Sequence, residues 1–393
     1  MQKISADLII THHGDPIKDG VIIYDESSGV IHDVLSSRKG VDGVDMRRGV
    51  LLPGYINAHC HLELSHLKGV IPTGTGLISF IKHVVSLRAF PQEVIDEQIR
   101  LADLEMQQAG IVAVGDISNQ LDTVSTKEAS SLRYYTFVEM FDLLQDSQAH
   151  TAFDNYHQVY QSQVDAGHHK KSIVPHAPYS VSTELWKLIK GSQKSGQTVS
   201  IHNQELRAEN HLFQDKTGGF LTFFQDMGLD IDGFLPTGKT SVESILHHLR
   251  PDTKVLLVHN TMTSSEDISS VKKRLPRCYW VTCPNANLYI ENNLPTYQTF
   301  LDSEAKVCIG TDSLSSNWQL SIFEEMKVIK KYQSYIDDVE ITKWATFNGA
   351  EALGYDDLGS LRKGTSPGIN LIDVEVHDGD FDLRLAKSST KIA

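Results

Sequence analysis

The chain has 393 residues, a formal net charge of −14 and the apolar and charged content of an ordinary globular protein. So acidic a balance excludes nucleic acid and anionic membrane surfaces as partners, because phosphates need a basic footprint. Four cysteines without a Cys-x-x-Cys pair make no disulfide framework. Neither a leader nor a bilayer-spanning run is legible, so a reducing cytoplasm is the expected location.

Residues 1–52 read as short strands, at Asp7–Ile10, Gly20–Tyr24 and Gly29–Val34, with Asp25–Gly29 as a turn. Pro53 and Gly54 break the chain, and the rhythm changes near there. Apolar runs at Leu51–Ala58, Gly110–Gly115, Arg133–Val138, Ser172–Pro175, Thr198–Ile201, Lys254–Val258, Cys278–Thr282 and Lys306–Gly310 predict eight strands. Between them the spacing predicts helices such as Leu77–Arg88, Pro91–Gln108, Thr183–Lys190, Ser241–Leu249, Ser264–Arg274 and Ile322–Tyr335, with Thr183 and Ser241 as N-caps. Leu206–Pro236 reads as a long loop. Its Phe213, Phe220, Phe223, Phe224 and Met227 suit either stacking on a flat heterocycle or a small core of the loop's own. From about Gly354 short strands return. Alternating strands and helices imply a parallel sheet covered on both faces, and eight units imply an α/β TIM-type (β/α)8 barrel over residues 53–353. Residues 1–52 and 354–393 are expected to pair as a small β-sandwich built from both chain ends.

Chemistry concentrates in His59-Cys60-His61. On a strand, residues two apart share a face, so the two imidazoles point together and Cys60 points away. The pair alone is equally a chance motif on a surface strand. The ends of the other predicted strands add His176, His202, His259 and Asp312, and Glu205 follows His202 at a His-x-x-Glu spacing. Catalytic groups of a (β/α)8 barrel lie at the carboxyl ends of its strands. Three imidazoles and a carboxylate suit one divalent cation such as Zn²⁺, which makes water acidic enough to ionise near neutral pH. Glu205, His259 and His176 remain for proton transfer and substrate contact.

Other motifs carry less. Gly233–Thr240 fits the phosphate-loop pattern, but the preceding Gly228–Asp232 is too short and polar for the strand that loop requires, and Pro236 removes one N–H. It is expected to be a loop and helix start. Gly364–Gly368 fits G-x-S-x-G but follows Arg362 and Lys363, so a turn is expected rather than a nucleophile elbow at Ser366. Cys60 should face away from His59 and no base is evident for Cys283, so neither is expected to be a nucleophile.

Pro53-Gly54-Tyr55-Ile56-Asn57-Ala58-His59-Cys60-His61, the His-x-x-Glu at His202 and Glu205, and Gly310-Thr311-Asp312 together resemble the amidohydrolase superfamily, in its branch of heterocycle deaminases and chlorohydrolases. The resemblance spans nearly the whole chain. His61-Leu62-Glu63 and the segment after Glu205 are most similar to aminofutalosine deaminase-like proteins. The resemblance implies His59, His61, His202 and Asp312 as ligands of a single metal, Zn²⁺ or Fe²⁺. It implies Glu205 as proton shuttle to a ring nitrogen, His259 as stabiliser of the attacking hydroxide, Asp312 as acceptor of the water's proton and His176 as a substrate contact. The implied reaction is deamination of an aminated nitrogen heterocycle, purine-like, with aminofutalosine or another adenine-bearing nucleoside as substrate. The alternatives are a triazine-type chlorohydrolase or aminohydrolase, a guanine deaminase, and a metal-binding scaffold without activity. A homodimer is the implied assembly. Glu63 is expected on the inward face with His61, at the substrate or supporting the ligands.

Overall fold

The computed structural model describes residues 1–393. Its centre is two four-stranded parallel sheets. The first holds β1 (Tyr55–Cys60), β2 (Ile111–Ile117), β3 (Arg133–Met140) and β4 (Lys170–Pro175) in the order β4-β3-β2-β1. The second holds β5 (Thr198–Asn203), β6 (Lys254–His259), β7 (Cys278–Thr282) and β8 (Val307–Ile309) in sequence order. Side chains alternate along each strand, and the alternation sorts them into two cores. Ile56, Ala58, Phe137, Val174, Val199 and Leu256 belong to one cluster with Leu353, at the end of helix Phe347–Leu353, and Tyr355 just after it. Their neighbours Tyr55, Tyr134, Ile173, Ile201, Val255 and Leu257 belong to a second cluster with the flanking helices. Strands buried on both faces explain why these runs read as continuously apolar.

The sheets meet at both edges. At β4 and β5, His202 N donates to His176 O at 2.9 Å and Ser172 Oγ to Thr198 O at 2.7 Å. At β8 and β1, Thr311 N and Asp312 N both donate to His59 O at 3.0 Å. Gly310 permits this approach, since a Cβ there would lie 2.8–2.9 Å from His59 atoms. The carboxyl ends of all eight strands therefore face one region.

Two further sheets and a two-stranded ribbon, Val376–His377 with Asp380–Phe381, complete the chain. One pairs Gln2–Ser5, Val21–Tyr24, Ile31–Leu35 and Asp45–Met46; the other orders Ser388–Lys391, Ile369–Asp373, Val50–Pro53, Leu8–Ile9 and Ile17–Lys18. Ile4, Ile22 and Ile31 of the first pack with Leu51 and Ile369 of the second. The expected pairing of the chain ends is present: Ile369–Asp373 runs antiparallel to Val50–Pro53.

Several boundaries differ from expectation. The run Leu51–Ala58 is two strands, because Gly54 turns the chain out of the small sheet into β1. A Cβ at Gly54 would lie 2.4 Å from Val112 Cγ1 and 2.7 Å from Pro367 O, so only glycine fits this crossing. Leu206–Pro236 is no structureless loop. It carries helices Arg207–Asp215 and Gly219–Asp226. The N-caps are Ser182 and Thr240, each one residue before the expected position, and each accepts a backbone N–H from the first turn. Gly233–Thr240 has no strand before it and leads into a helix of five residues, Ser241–Ile245. Ser366 lies in irregular backbone after the Lys363–Gly364 turn, with no helix following it, and donates to Ser28 O.

Candidate active site

The buried His59 is the last residue but one of β1, and His61 follows the strand directly. Their Nε2 atoms are 3.1 Å apart. His202, near the end of β5, brings its own Nε2 to 3.2 Å from that of His61. Asp312 follows β8 and places Oδ1 3.5 Å from His61 and 3.7 Å from His59. Its other oxygen accepts from Ser316 Oγ at 2.6 Å. His259 closes β6, with its ring stacked 5.5 Å from that of His202. His176 follows β4, its ring centre 4.9 Å from His202. Glu205 Oε2 lies 3.6 Å from His259 Nε2, and Glu205 Oε1 is buried without a partner. Every residue singled out from the strand ends thus arrives at one point.

The backbone is bent to achieve this. Gln204, His259, Asn260 and Asp312 all have positive φ, at 46°, 76°, 60° and 57°. Such conformations cost about 1–3 kcal/mol each and persist only where the surroundings enforce them. Enforcement is visible. Asn260 Nδ2 donates to Leu257 O and Val281 O, Asn203 Nδ2 to Asn260 Oδ1, and Asn317 Nδ2 to Thr311 O.

The donor set fits a divalent cation. Zn–N bonds of about 2.0–2.1 Å in a tetrahedron hold two nitrogens about 3.3–3.4 Å apart; the observed imidazole separations are close to that edge. Burial, with the neighbouring imidazoles, holds His59 well below the usual histidine range, so its lone pair is free at neutral pH. His202 Nδ1 donates to His176 O at 3.0 Å and lies 3.2 Å from Glu139 Oε1. This fixes the proton on Nδ1 and leaves Nε2 as the ligand atom. Burial disfavours charge on His202, yet the hydrogen bond and charge of Glu139 lift its pKa to about 9. A side chain so stabilised as a cation is equally suited to carry part of a metal's charge.

Proton-transfer groups surround this cluster. Burial pushes the Glu205 carboxyl well above its ordinary pKa. Burial also drives His259 to about 3 and His176 to about 4, so both rings are neutral at pH 7. Asn287 Nδ2 donates to His259 Nδ1 at 3.0 Å, which leaves His259 Nε2 as an N–H donor toward the site. Cys60 and Cys283 are buried and their thiols are raised by desolvation, which disqualifies both as thiolates.

The cleft over the cluster is walled by helix α1 (Leu77–Leu87), Phe141, Tyr179, Phe223, Met227 and Ile290. Of the aromatic segment, only Phe223 and Met227 reach the cleft; Phe213, Phe220 and Phe224 pack against Tyr179 and one another. Glu63 is not on the β1 face but in a 3-10 turn, where Oε2 accepts from Asn119 N and Gln120 N while the side chain still lines the cleft.

Three features were not read from the sequence. Glu139 continues the inward alternation of Tyr135 and Phe137, but β3 runs two residues past its expected end. Lys127 and Asp116 form a fully buried ion pair at 2.6 Å, and Asp116 accepts Leu62 N at 2.8 Å beside His61. Lys127 Nζ is taken up by Asp116, Ser118 and Thr136. Asn287 stands in the run Cys283–Asn287 after the seventh strand, but nothing in that run announces its bond to His259.

Parallel strands whose carboxyl ends gather three histidines and an aspartate define a metal-dependent hydrolase of α/β architecture. The Amidohydrolase family profile matches residues 50–392, and the chain belongs to that family. Among relatives, the aminodeoxyfutalosine deaminase of Nitratiruptor sp. is 26% identical over 378 residues, spanning 91% of this chain and 88% of its own. The crystal structure of Helicobacter pylori aminofutalosine deaminase in complex with methylthio-coformycin superposes with a TM-score of 0.81 over the full length of both chains, at 21% identity. A zinc-bound adenosine deaminase from Xanthomonas campestris gives 0.73 at 18% identity, over 98% of this chain and 90% of its own. At these identities the likeness is one of fold.

Proposed function

We propose that the chain hydrolyses the exocyclic amino group from an adenine-bearing nucleoside of the aminofutalosine type, using one divalent metal. The observation that carries this reading is the buried, unpartnered Glu205 oxygen beside three converging imidazole nitrogens. Nucleophilic attack on an aromatic C–NH₂ carbon requires protonation of the adjacent ring nitrogen, and a neutral carboxylic acid at that distance supplies it. The names of the relatives, all deaminases of adenine-bearing compounds where quoted above, support the same substrate class.

His59, His61, His202 and Asp312 would hold the metal, and the donor chemistry favours Zn²⁺ over Fe²⁺. The metal supplies Lewis acidity that makes water nucleophilic near neutral pH. Asp312 Oδ1 accepts the proton of the attacking water while Ser316 holds Oδ2 in place. Glu205 delivers its proton to the ring nitrogen. His259 donates from Nε2 to the oxygen being added. His176, held through Nδ1 by Ser180 Oγ at 2.7 Å, presents its ring edge to the substrate. The amine takes the proton held by Asp312 and leaves as ammonia as the C–N bond breaks, and the hydroxyl proton of the added oxygen returns to Glu205, so that a ring carbonyl replaces C–NH₂.

The same reading takes residues 53–353 as a (β/α)8 barrel and residues 1–52 with 354–393 as a β-sandwich, in a cytoplasmic homodimer. The test is an ammonia-release screen across adenine-bearing nucleosides, guanine, pterins, pyrimidines and triazines, with metal content measured in the same preparation. Fastest turnover of an adenine-bearing nucleoside supports the reading. Fastest turnover of a triazine or guanine overturns the substrate class. Full metal content with no hydrolysis of any ring supports a metal-binding scaffold instead.

A further inference from the structure

Glu205 is the proton carrier of the reading above, yet no hydrogen bond within the chain holds its carboxyl. Oε1 has no partner, and Oε2 stands 3.6 Å from His259 Nε2, beyond hydrogen-bond range. The direction of this side chain is therefore set by the backbone beneath it. There the chain turns sharply out of β5. Gln204 has φ of 46°, a left-handed conformation on a residue with a Cβ, and such a bend persists only where its surroundings enforce it.

The enforcing group is Glu209. It stands on the helix Arg207–Asp215, whose N-cap, Leu206, offers no side-chain acceptor. Glu209 is the third residue of that helix, the position from which a glutamate ordinarily reaches back to the N–H of its own N-cap. Here it reaches further. Oε1 accepts Gln204 N at 2.9 Å and Oε2 accepts Glu205 N at 3.4 Å, the two N–H groups of the bend itself. From the other side Thr261, just past β6, donates Oγ1 to Glu205 O at 2.6 Å. The backbone of Glu205 is thus held at its N–H and at its carbonyl, and only the side-chain torsions remain free.

A second observation sets Glu209 apart from an ordinary capping residue. It is 0% exposed, and no lysine or arginine pairs with it. Burial lifts its pKa to about 7, against the hydrogen bonds it accepts from Ser241 and the two N–H groups. A buried carboxyl without a cation is unfavourable in itself, and functional sites are where such groups gather. Its position also disfavours a second negative charge on Glu205, which favours the protonated form that the reaction uses.

We infer that Glu209 is a positioning residue, acting on the reaction through Glu205 by clamping the bend that aims it at the ring nitrogen. The inference rests on the assignment of Glu205 as proton carrier, and the experiment separates the two.

The probes are adenosine and 5′-methylthioadenosine. Ammonia release is measured with the metal-loaded wild type, Glu209→Gln, Glu209→Ala, Glu205→Gln and the double variant Glu205→Gln with Glu209→Gln. Glutamine keeps the length of the side chain but offers one acceptor oxygen to two N–H groups, and alanine offers none. A reacting group misplaced by about 1 Å loses about 10²-fold in rate. Glu209→Gln should lower kcat roughly 10-fold and Glu209→Ala roughly 100-fold, with KM and metal content at wild-type levels. In the Glu205→Gln background the same Glu209→Gln substitution should leave kcat within about twofold, because the group it aims no longer carries a proton. A residue that only supports the fold would depress both backgrounds alike. Should Glu209→Ala fail to fold, the glutamine variants decide alone. Undiminished kcat in Glu209→Gln, an equal fall in both backgrounds, or a loss of metal in step with kcat overturns the inference and leaves the Glu205 assignment in place. Wild-type kcat in Glu205→Gln overturns that assignment, and absence of ammonia from both nucleosides with the wild type overturns the nucleoside reading; either result takes the inference with it.

Discussion

Replacing Glu205 by glutamine isolates its chemistry from its packing. The side chain is 4% exposed, one oxygen is unpartnered and the other faces His259 at 3.6 Å. Glutamine has the same shape and carries no charge. Burial already disfavours the ionised carboxyl, so the substitution costs little in folding. It leaves His59, His61, His202 and Asp312 untouched, and metal content should stay at the wild-type level. What it removes is a transferable proton. General acid–base catalysis contributes about 10²- to 10⁴-fold, so kcat should fall by that factor, about 2.7–5.5 kcal/mol of barrier. The assay is ammonia release at saturating nucleoside with elemental analysis of the same sample. The wild-type pH profile should agree: activity declines as pH rises through the elevated Glu205 pKa, because the proton to be delivered is then lost. His259, neutral above about pH 3, adds no acidic limb near neutrality. A Glu205→Gln protein with metal bound and more than about a tenth of wild-type kcat would refute proton delivery by this residue.

Three further outcomes follow from the geometry. Glu139→Gln should weaken metal affinity about 10- to 100-fold in a chelator competition, because it strips the charge that orients His202; unaltered affinity would show that His176 O suffices to hold the ring. His59→Ala should reduce metal occupancy well below one per chain, and full activity of metal-free protein would contradict the assigned donor set. Lys127→Met should cost about 3–5 kcal/mol in urea unfolding, since it leaves Asp116 charged and buried. Adding Asp116→Asn should restore most of that loss, and a double variant as unstable as the single one would locate the damage in packing instead.

The strands and the residues at their ends were legible because β-runs buried on both faces leave a continuous apolar signal, and the first polar residue after each run stands out. His59, His202 and His259 follow that pattern, and Asp312 stands one residue further on, after Thr311. Glu139 does not, because β3 continues past Val138 and hides it inside the run. The helices of 206–236 were missed for a different reason. Arg207–Asp215 and Gly219–Asp226 begin at Leu206 and Gly218, neither of which caps with a side chain, so the usual start signal is missing. Lys127 with Asp116, and Asn287 with His259, are partnerships across the fold, and no local spacing announces them. That α1 turns part of its apolar face to the cleft, while Leu77 and Phe80 also pack in a small core of their own, is visible only in the structure.

The seam between β1 and β8 also sets a timetable. Asn57 bonds Thr311 across 254 residues of sequence, and Asp312 leans on the His59 carbonyl through the same contact. On a ribosome moving at about 5–20 residues per second, His59 and His61 emerge roughly 10–50 s before their carboxylate partner is made. During that interval a nascent chain displays two histidines with no aspartate. Contacts of such long range also form late in folding. The complete donor set therefore exists only once Asp312 has been made, late in the chain and long after His59 and His61.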